Sequence, residues 1–248
     1  MHRPGTFLYG HFHLPDQAGE EQQDRHEGVG QPGQADAAHG ERHFGIQAPG
    51  ARVLADKGFF PEAELWQFCK PKGILGGHPE YGKVPGVEAS TGSLGHGLSI
   101  GVGMALNARF EKSAHRTFVV ISDGESNEGS VWEAALCAAK HKLSNLVVLV
   151  DYNKQQSYGT TYEVLDMDPL AEKWRAFGFA AEEVDGHNVA ELRAALARTP
   201  FNSDRPSIII CHTIKGKGIS FVENNLNWHH KTKITDEEMQ SLMKELGE

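Results

Sequence analysis

Asp123 and Asn153 are a carboxylate and an amide lying 30 residues apart, each followed by a short polar, turn-forming run: Ser122-Asp123-Gly124-Glu125-Ser126-Asn127-Glu128-Gly129 and Asp151-Tyr152-Asn153-Lys154-Gln155. Both are hard oxygen donors, the kind that suits Mg2+ or Ca2+. Two side chains cannot fill an octahedral shell, so a backbone carbonyl, water and ligand phosphates would have to complete it. Gly124 lets backbone approach a phosphate, and the helix that follows offers its first N–H groups to an anion. As a lone motif, Ser-Asp-Gly reads more simply as a turn after a strand. The pairing at this spacing favours the metal reading, because a strand end, one crossover helix and a second strand consume about that length.

The elements that must hold these residues are legible on either side of them. Apolar β-branched runs predict buried strands over 116–122, 145–151 and 207–213. Helices are expected over 62–68, 98–110, 130–141, 169–177, 190–198 and 235–246, the last opened by a capping box of Thr235 with Glu238. Between 73 and 97 the chain is a glycine-rich loop. Continuous apolar strands separated by helices imply a doubly wound, mainly parallel α/β sheet flanked by helices. Ligands of such sheets gather at the carboxyl ends of the strands, here just after Ser122, Val150 and Thr213.

With 39% hydrophobic and 23% charged residues, the chain reads as a soluble globular protein. A net charge of -9 disfavours nucleic acid and anionic membrane surfaces as partners. No apolar run reaches membrane-spanning length. Three scattered cysteines, Cys69, Cys137 and Cys211, form no disulfide framework, which fits a reduced cytoplasmic setting.

Four further blocks carry a family resemblance. Gly77-His78-Pro79-Glu80 is followed by Pro85-Gly86-Val87-Glu88 and by Thr91-Gly92-Ser93-Leu94-Gly95-His96-Gly97, and Thr213-Ile214-Lys215-Gly216-Lys217-Gly218 precedes Glu223-Asn224 and Trp228-His229. With the Asp123–Asn153 pair these blocks resemble transketolase, and more closely the N-terminal subunit of split transketolases, over roughly residues 53–235. Ser122 stands where the family's metal motif begins with Gly. The resemblance implies the thiamine diphosphate-binding fold of the pyrophosphate-domain type, with thiamine diphosphate and Mg2+ (or Ca2+) as cofactors. It implies Asp123 and Asn153 as metal ligands with the backbone carbonyl of Gln155. Gly92, Ser93 and Leu94 would line the cofactor, Gly124 would pack on its diphosphate, and Lys215 and His229 would lie near its phosphate and thiazolium region. His78 would reach the hydroxyl-bearing carbons of a sugar phosphate substrate, and Glu128 and Glu133 would face neighbouring subunits. The implied reaction moves a two-carbon ketol unit from a ketose phosphate to an aldose phosphate. A C-terminal partner subunit, two copies of each chain, would supply the glutamate that protonates the cofactor's aminopyrimidine. Two other readings stay open: a catalytically impaired cofactor- or partner-binding protein, and a thiamine-dependent synthase of another sugar phosphate.

Residues 1–52 differ from the rest. They contain four Leu, Ile or Val residues, six of the 14 histidines, and no Lys, Ser or Asn. No apolar period of 2 or 3.6 runs through them, so they read as an unpacked arm ahead of a domain over 53–248. The family's early histidine motif and its Ser-Lys-Gly-His-Ala motif are missing from this stretch. The arm is either a frameshift product ending near Arg52–Val53 or an unrelated extension.

Overall fold

The computed structural model describes residues 6–9, 48–229, 231 and 233–247. Strand β1 is Thr6–Tyr9 and helix α1 is Ala48–Asp56. Helix α2 spans His96–Phe110, strand β2 Thr117–Ser122, helix α3 Gly129–Lys140 and strand β3 Leu146–Tyr152. A small hairpin of β4 (Gln155–Gln156) and β5 (Gly159–Thr160) leads into α4 (Thr161–Val164) and α5 (Leu170–Ala176). Then come β6 (Ala180–Asp185), α6 (Val189–Arg198), β7 (Ser207–His212) and α7 (Asp236–Leu246). The described residues fall into two compact units, one of residues 6–9 with 78–247, the other of 48–77.

In the larger unit the strands form one parallel sheet in the order β1-β2-β3-β7-β6. This is the expected doubly wound α/β layout. The three strands read from the sequence are its centre, and Val119, Ile121, Val148, Val150, Ile208 and Ile210 are buried in one face. Ala134, Ala135 and Ala138 of α3 and Ala105 of α2 let those helices lie close on that face. Trp132, Trp174, Phe177 and Phe179 complete it as a stacked group, with ring centroids 4.7–5.0 Å apart along the chain of contacts. The opposite face packs Phe118, Val147 and Ile209 against Ala195 of α6.

Two elements lie where no strand was expected. β6 has the sequence Ala-Ala-Glu-Glu-Val-Asp, and only Val184 of it is buried. As an outer strand it leaves Glu182 to pair with Arg198 and Glu183 to meet His212. β1 lies within the stretch read as an arm, and pairs Thr6 with Thr117 through Tyr9 with Val120. Most of that arm, residues 10–47, lies outside the described residues. The expected boundary at residue 52 falls inside α1, where Arg52 bonds Asp56 at 2.9 Å and Glu62 at 2.8 Å. The helix expected over 62–68 is a 3-10 turn, Glu62–Gln67. The capping box of α7 is present as expected, with the Glu238 N–H donating to Thr235 Oγ1 at 3.2 Å.

Candidate functional site

Register decides what meets at the carboxyl edge of the sheet. β2 and β3 run side by side with Ser122 opposite Asp151, so Asp123 arrives beside the turn that leaves β3. Asp123 is fully buried. Its Oδ1 accepts the Gly124 N–H at 2.7 Å and its Oδ2 accepts the Lys154 N–H at 2.6 Å. The second bond ties Asp123 to the residue after Asn153, across the spacing noted above. Asn153 is buried as well, and its Oδ1 accepts the N–H of Gln155 at 3.0 Å. Gln155 is buried with its Oε1 meeting no hydrogen-bond donor. Burial pushes the Asp123 carboxyl up to about 7, helped by the nearby Asp151 charge and opposed by the Lys154 and Gly124 N–H groups and the Lys154 ammonium. Lys215 lies within electrostatic reach: burial lowers its ammonium, while Asp151 and Asp123 act to raise it.

The Gly-rich loop is tied to this edge through Glu125. Ser122 Oγ accepts the Glu125 N–H at 3.0 Å, so the serine in the Gly position braces the turn rather than intruding on it. Glu125 is 1% exposed, its carboxyl raised by burial, and its Oε1 accepts the Gly95 N–H at 2.9 Å. Ser130 Oγ donates to the Gly95 carbonyl at 3.1 Å. A side chain at Gly95 would place its Cβ 2.3 Å from that hydroxyl, and its φ of +81° is a left-handed value, so the position requires glycine. Gly92, Ser93 and Leu94 are thereby anchored beside the Ser122–Asn127 turn. The Thr91 N–H donates to the Pro79 carbonyl at 3.3 Å, which brings the His78–Pro79 corner alongside. Gly124 faces Gln156, whose Cβ would lie 3.2 Å from an added methyl.

The block after β7 is fastened to the same strand ends. Thr213 Oγ1 donates to Asp151 and the Thr213 N–H to the Tyr152 carbonyl at 3.2 Å. The loop folds back so that the Asn224 N–H reaches the Lys215 carbonyl at 2.9 Å. Glu223 accepts the Gly218 N–H at 3.1 Å and pairs with Lys217 at 3.4 Å. His229 follows the 3-10 turn Leu226–Trp228, whose Trp228 packs edge-on against Phe221.

The structure thus gathers Asp123, Gly124, Asn153 and Gln155 into one knot, with Gly92–Leu94 and Lys215 linked to it. His78 precedes the Pro79 carbonyl that accepts the Thr91 N–H, and His229 follows the Leu226–Trp228 turn. Glu128 and Glu133 are exposed. Four residues that sequence reading left without a role also build the site: Glu125, Asp151, Lys154 and His187, whose Nε2 accepts the Ile214 N–H at 2.7 Å. Nothing in the sequence singled out Glu125, whose burial only the structure shows. Among the described residues no group of three or more His, Cys, Asp or Glu side chains could hold a metal ion. A cation here would rest on one carboxylate and amide oxygens.

A parallel sheet flanked by helices, with a buried acid and an amide-bearing turn at its carboxyl edge and a tethered glycine loop nearby, defines an α/β domain. Residues 58–248 match the family model described as transketolase, thiamine diphosphate binding domain, and the chain belongs to that family. It is 41% identical over 196 residues to an apulose-4-phosphate transketolase subunit of Phocaeicola vulgatus, covering 79% of this chain and 69% of that protein. It is 40% identical over 194 residues to a 6-deoxy-6-sulfo-D-fructose transketolase subunit of Clostridium sp., covering 78% and 70%. The crystal structure of transketolase from Campylobacter jejuni superposes with a TM-score of 0.68 at 26% identity, over 75% of this chain and 30% of that one.

Proposed function

We propose that this chain is the thiamine diphosphate- and metal-binding subunit of a two-chain transketolase, acting with a C-terminal partner subunit, two copies of each. The observation that carries the reading is the Lys154 N–H bond to Asp123 Oδ2 at 2.6 Å, which brings the acid and the Asn153–Gln155 turn together. The donor set suits Mg2+ or Ca2+. Asp123 is a buried carboxylate whose charge a cation would stabilise, Asn153 adds an amide oxygen, and the Gln155 carbonyl would complete the protein's share. The buried Gln155 Oε1 supplies a further oxygen without a donor. Lys215 would hold the phosphate end by charge, with Gly124 and the Gly92–Leu94 loop giving backbone close access. His78 and His229 would orient the sugar hydroxyls and the reacting end of the cofactor. When bound, thiamine diphosphate supplies the nucleophilic carbon that carries the two-carbon unit between a ketose phosphate and an aldose phosphate. The two relatives named above bear different sugars in their names.

Titration calorimetry of the chain together with its partner subunit, using thiamine diphosphate with and without Mg2+, tests the metal site. Tight binding in Mg2+ and loss of binding in chelator are expected. Asp123→Ala should weaken the metal-dependent component by more than the roughly 10–100-fold that outer-shell partners of a metal typically cost. Equal affinity in chelator would sink the reading.

A further inference from the structure

Lys154 occupies the middle of the Asn153–Gln155 turn in a conformation that L side chains disfavour, φ +63°. Glycine or asparagine would adopt it with less strain, so the lysine must be held there by something. Four contacts hold it. Its N–H reaches Asp123 Oδ2 at 2.6 Å, its carbonyl accepts the Thr161 N–H at 3.0 Å, and its Nζ donates to the Tyr152 carbonyl at 3.0 Å and to His212 Nδ1 at 3.2 Å. The ammonium also lies 4.6 Å over the Tyr152 ring.

The histidine is oriented in turn. An ammonium has only donors, so Nδ1 of His212 must accept. The ring proton then sits on Nε2, which donates to Glu183 Oε2 at 2.8 Å. Register fixes the geometry: His212 lies across from Tyr152 on one side and from Asp185 on the other, so the chain Lys154–His212–Glu183 runs over the carboxyl ends of β3, β7 and β6. An exposed ion pair on a surface contributes little. A lysine that carries a strained backbone and whose own N–H enters the buried acid does more.

We propose that Lys154, fastened by His212 and Glu183, is a positioning residue: it locks the turn so that the Asp123 carboxylate and the Asn153 amide face one cation. This rests on the metal reading above. The ammonium needs no contact with the cofactor, because it acts through the turn.

The test is Mg2+ affinity in the presence of thiamine diphosphate, measured by calorimetry on the whole chain with its partner, alongside thermal unfolding of the ligand-free proteins. Lys154→Gly relieves the backbone strain and removes only the tether. If the side chain is idle, Mg2+ binding should be unchanged or tighter; the proposal expects it to weaken about tenfold, the low end for outer-shell metal partners. His212→Leu, at a half-exposed position, should weaken it similarly, Glu183→Ala less, and Lys154→Arg, which keeps a donor, should restore most of it. Unfolding temperatures should stay near wild type in each. Wild-type Mg2+ affinity in both Lys154→Gly and His212→Leu, with Asp123→Ala losing binding, would overturn the tether while leaving the metal site standing. Unchanged binding in Asp123→Ala would overturn both.

Discussion

A carboxylate buried just past the end of a parallel strand is shielded from water, so its charge is poorly solvated. Asp123 meets that condition, and only two backbone N–H groups and a nearby lysine offset it. The pull upward on its proton affinity is what a divalent cation would reverse on binding, since a metal takes the deprotonated form. The same edge affects a neighbour that has no part in ligand binding. Cys211, at the penultimate position of β7, is 7% exposed, and burial together with Asp151 pushes its thiol up to about 12. The thiolate is the reactive form, so at pH 8 Cys211 should be inert. Iodoacetamide should modify the exposed Cys69 in the native chain and reach Cys211 only in denaturant. Peptide mapping that finds Cys211 modified as fast as Cys69 without denaturant would contradict its placement.

Elements place the site through their packing, and the aromatic group beneath α3 is the most demanding part of it. Trp174 of α5 is fully buried, 4.8 Å from Trp132 and 5.0 Å from Phe179 between ring centroids, and its Nε1–H meets no acceptor. Trp132 in turn donates to the Ser126 carbonyl at 2.8 Å, inside the turn that follows Asp123. Trp174→Ala should cost about 3–5 kcal/mol in urea unfolding, the range for large aromatic truncations. Trp174→Phe should cost much less, because it also removes the unpartnered donor; equal losses would count against that account. The central strands and most helices were legible because their burial is continuous: Ser-Ile-Ile-Ile and Leu-Val-Val-Leu-Val have no other reading at that length. β6 was not, because an outer strand can carry Glu182 and Glu183 outward and needs only Val184 inside. β1 was not, because four residues show no period, and its register comes from β2. That Asp123 and the turn carrying Asn153 would meet was legible from their spacing. Lys154 and His212 were not, because their roles come from a backbone angle and a strand register that no residue type announces.

For the whole molecule, the decisive quantity is how much of a transketolase this chain represents. It spans 69% of the transketolase subunit from Phocaeicola vulgatus but 30% of the Campylobacter jejuni transketolase chain. Among its described residues, the carboxyl ends of β2, β3 and β7 and the loops tied to them meet at one edge of the sheet. Among the described residues no helix is long and apolar enough to cross a membrane. Several large apolar side chains just past the site are left exposed: Tyr158, Tyr162 and Leu165 at 90%, 79% and 53%. The relatives from Phocaeicola vulgatus and Clostridium sp., of which the chain covers 69% and 70%, bear names that call them subunits. The purified 248-residue chain should therefore bind thiamine diphosphate with Mg2+ weakly and transfer no two-carbon unit between a ketose phosphate and an aldose phosphate. Adding the companion subunit should restore transfer, with activity rising to a plateau at equal amounts of the two chains. Stopped assays of product sugar phosphate across a titration of one chain against the other would measure this. Transfer by the chain alone, at a rate that the companion subunit does not raise, would show that one chain holds the complete site and would remove the case for a two-chain enzyme.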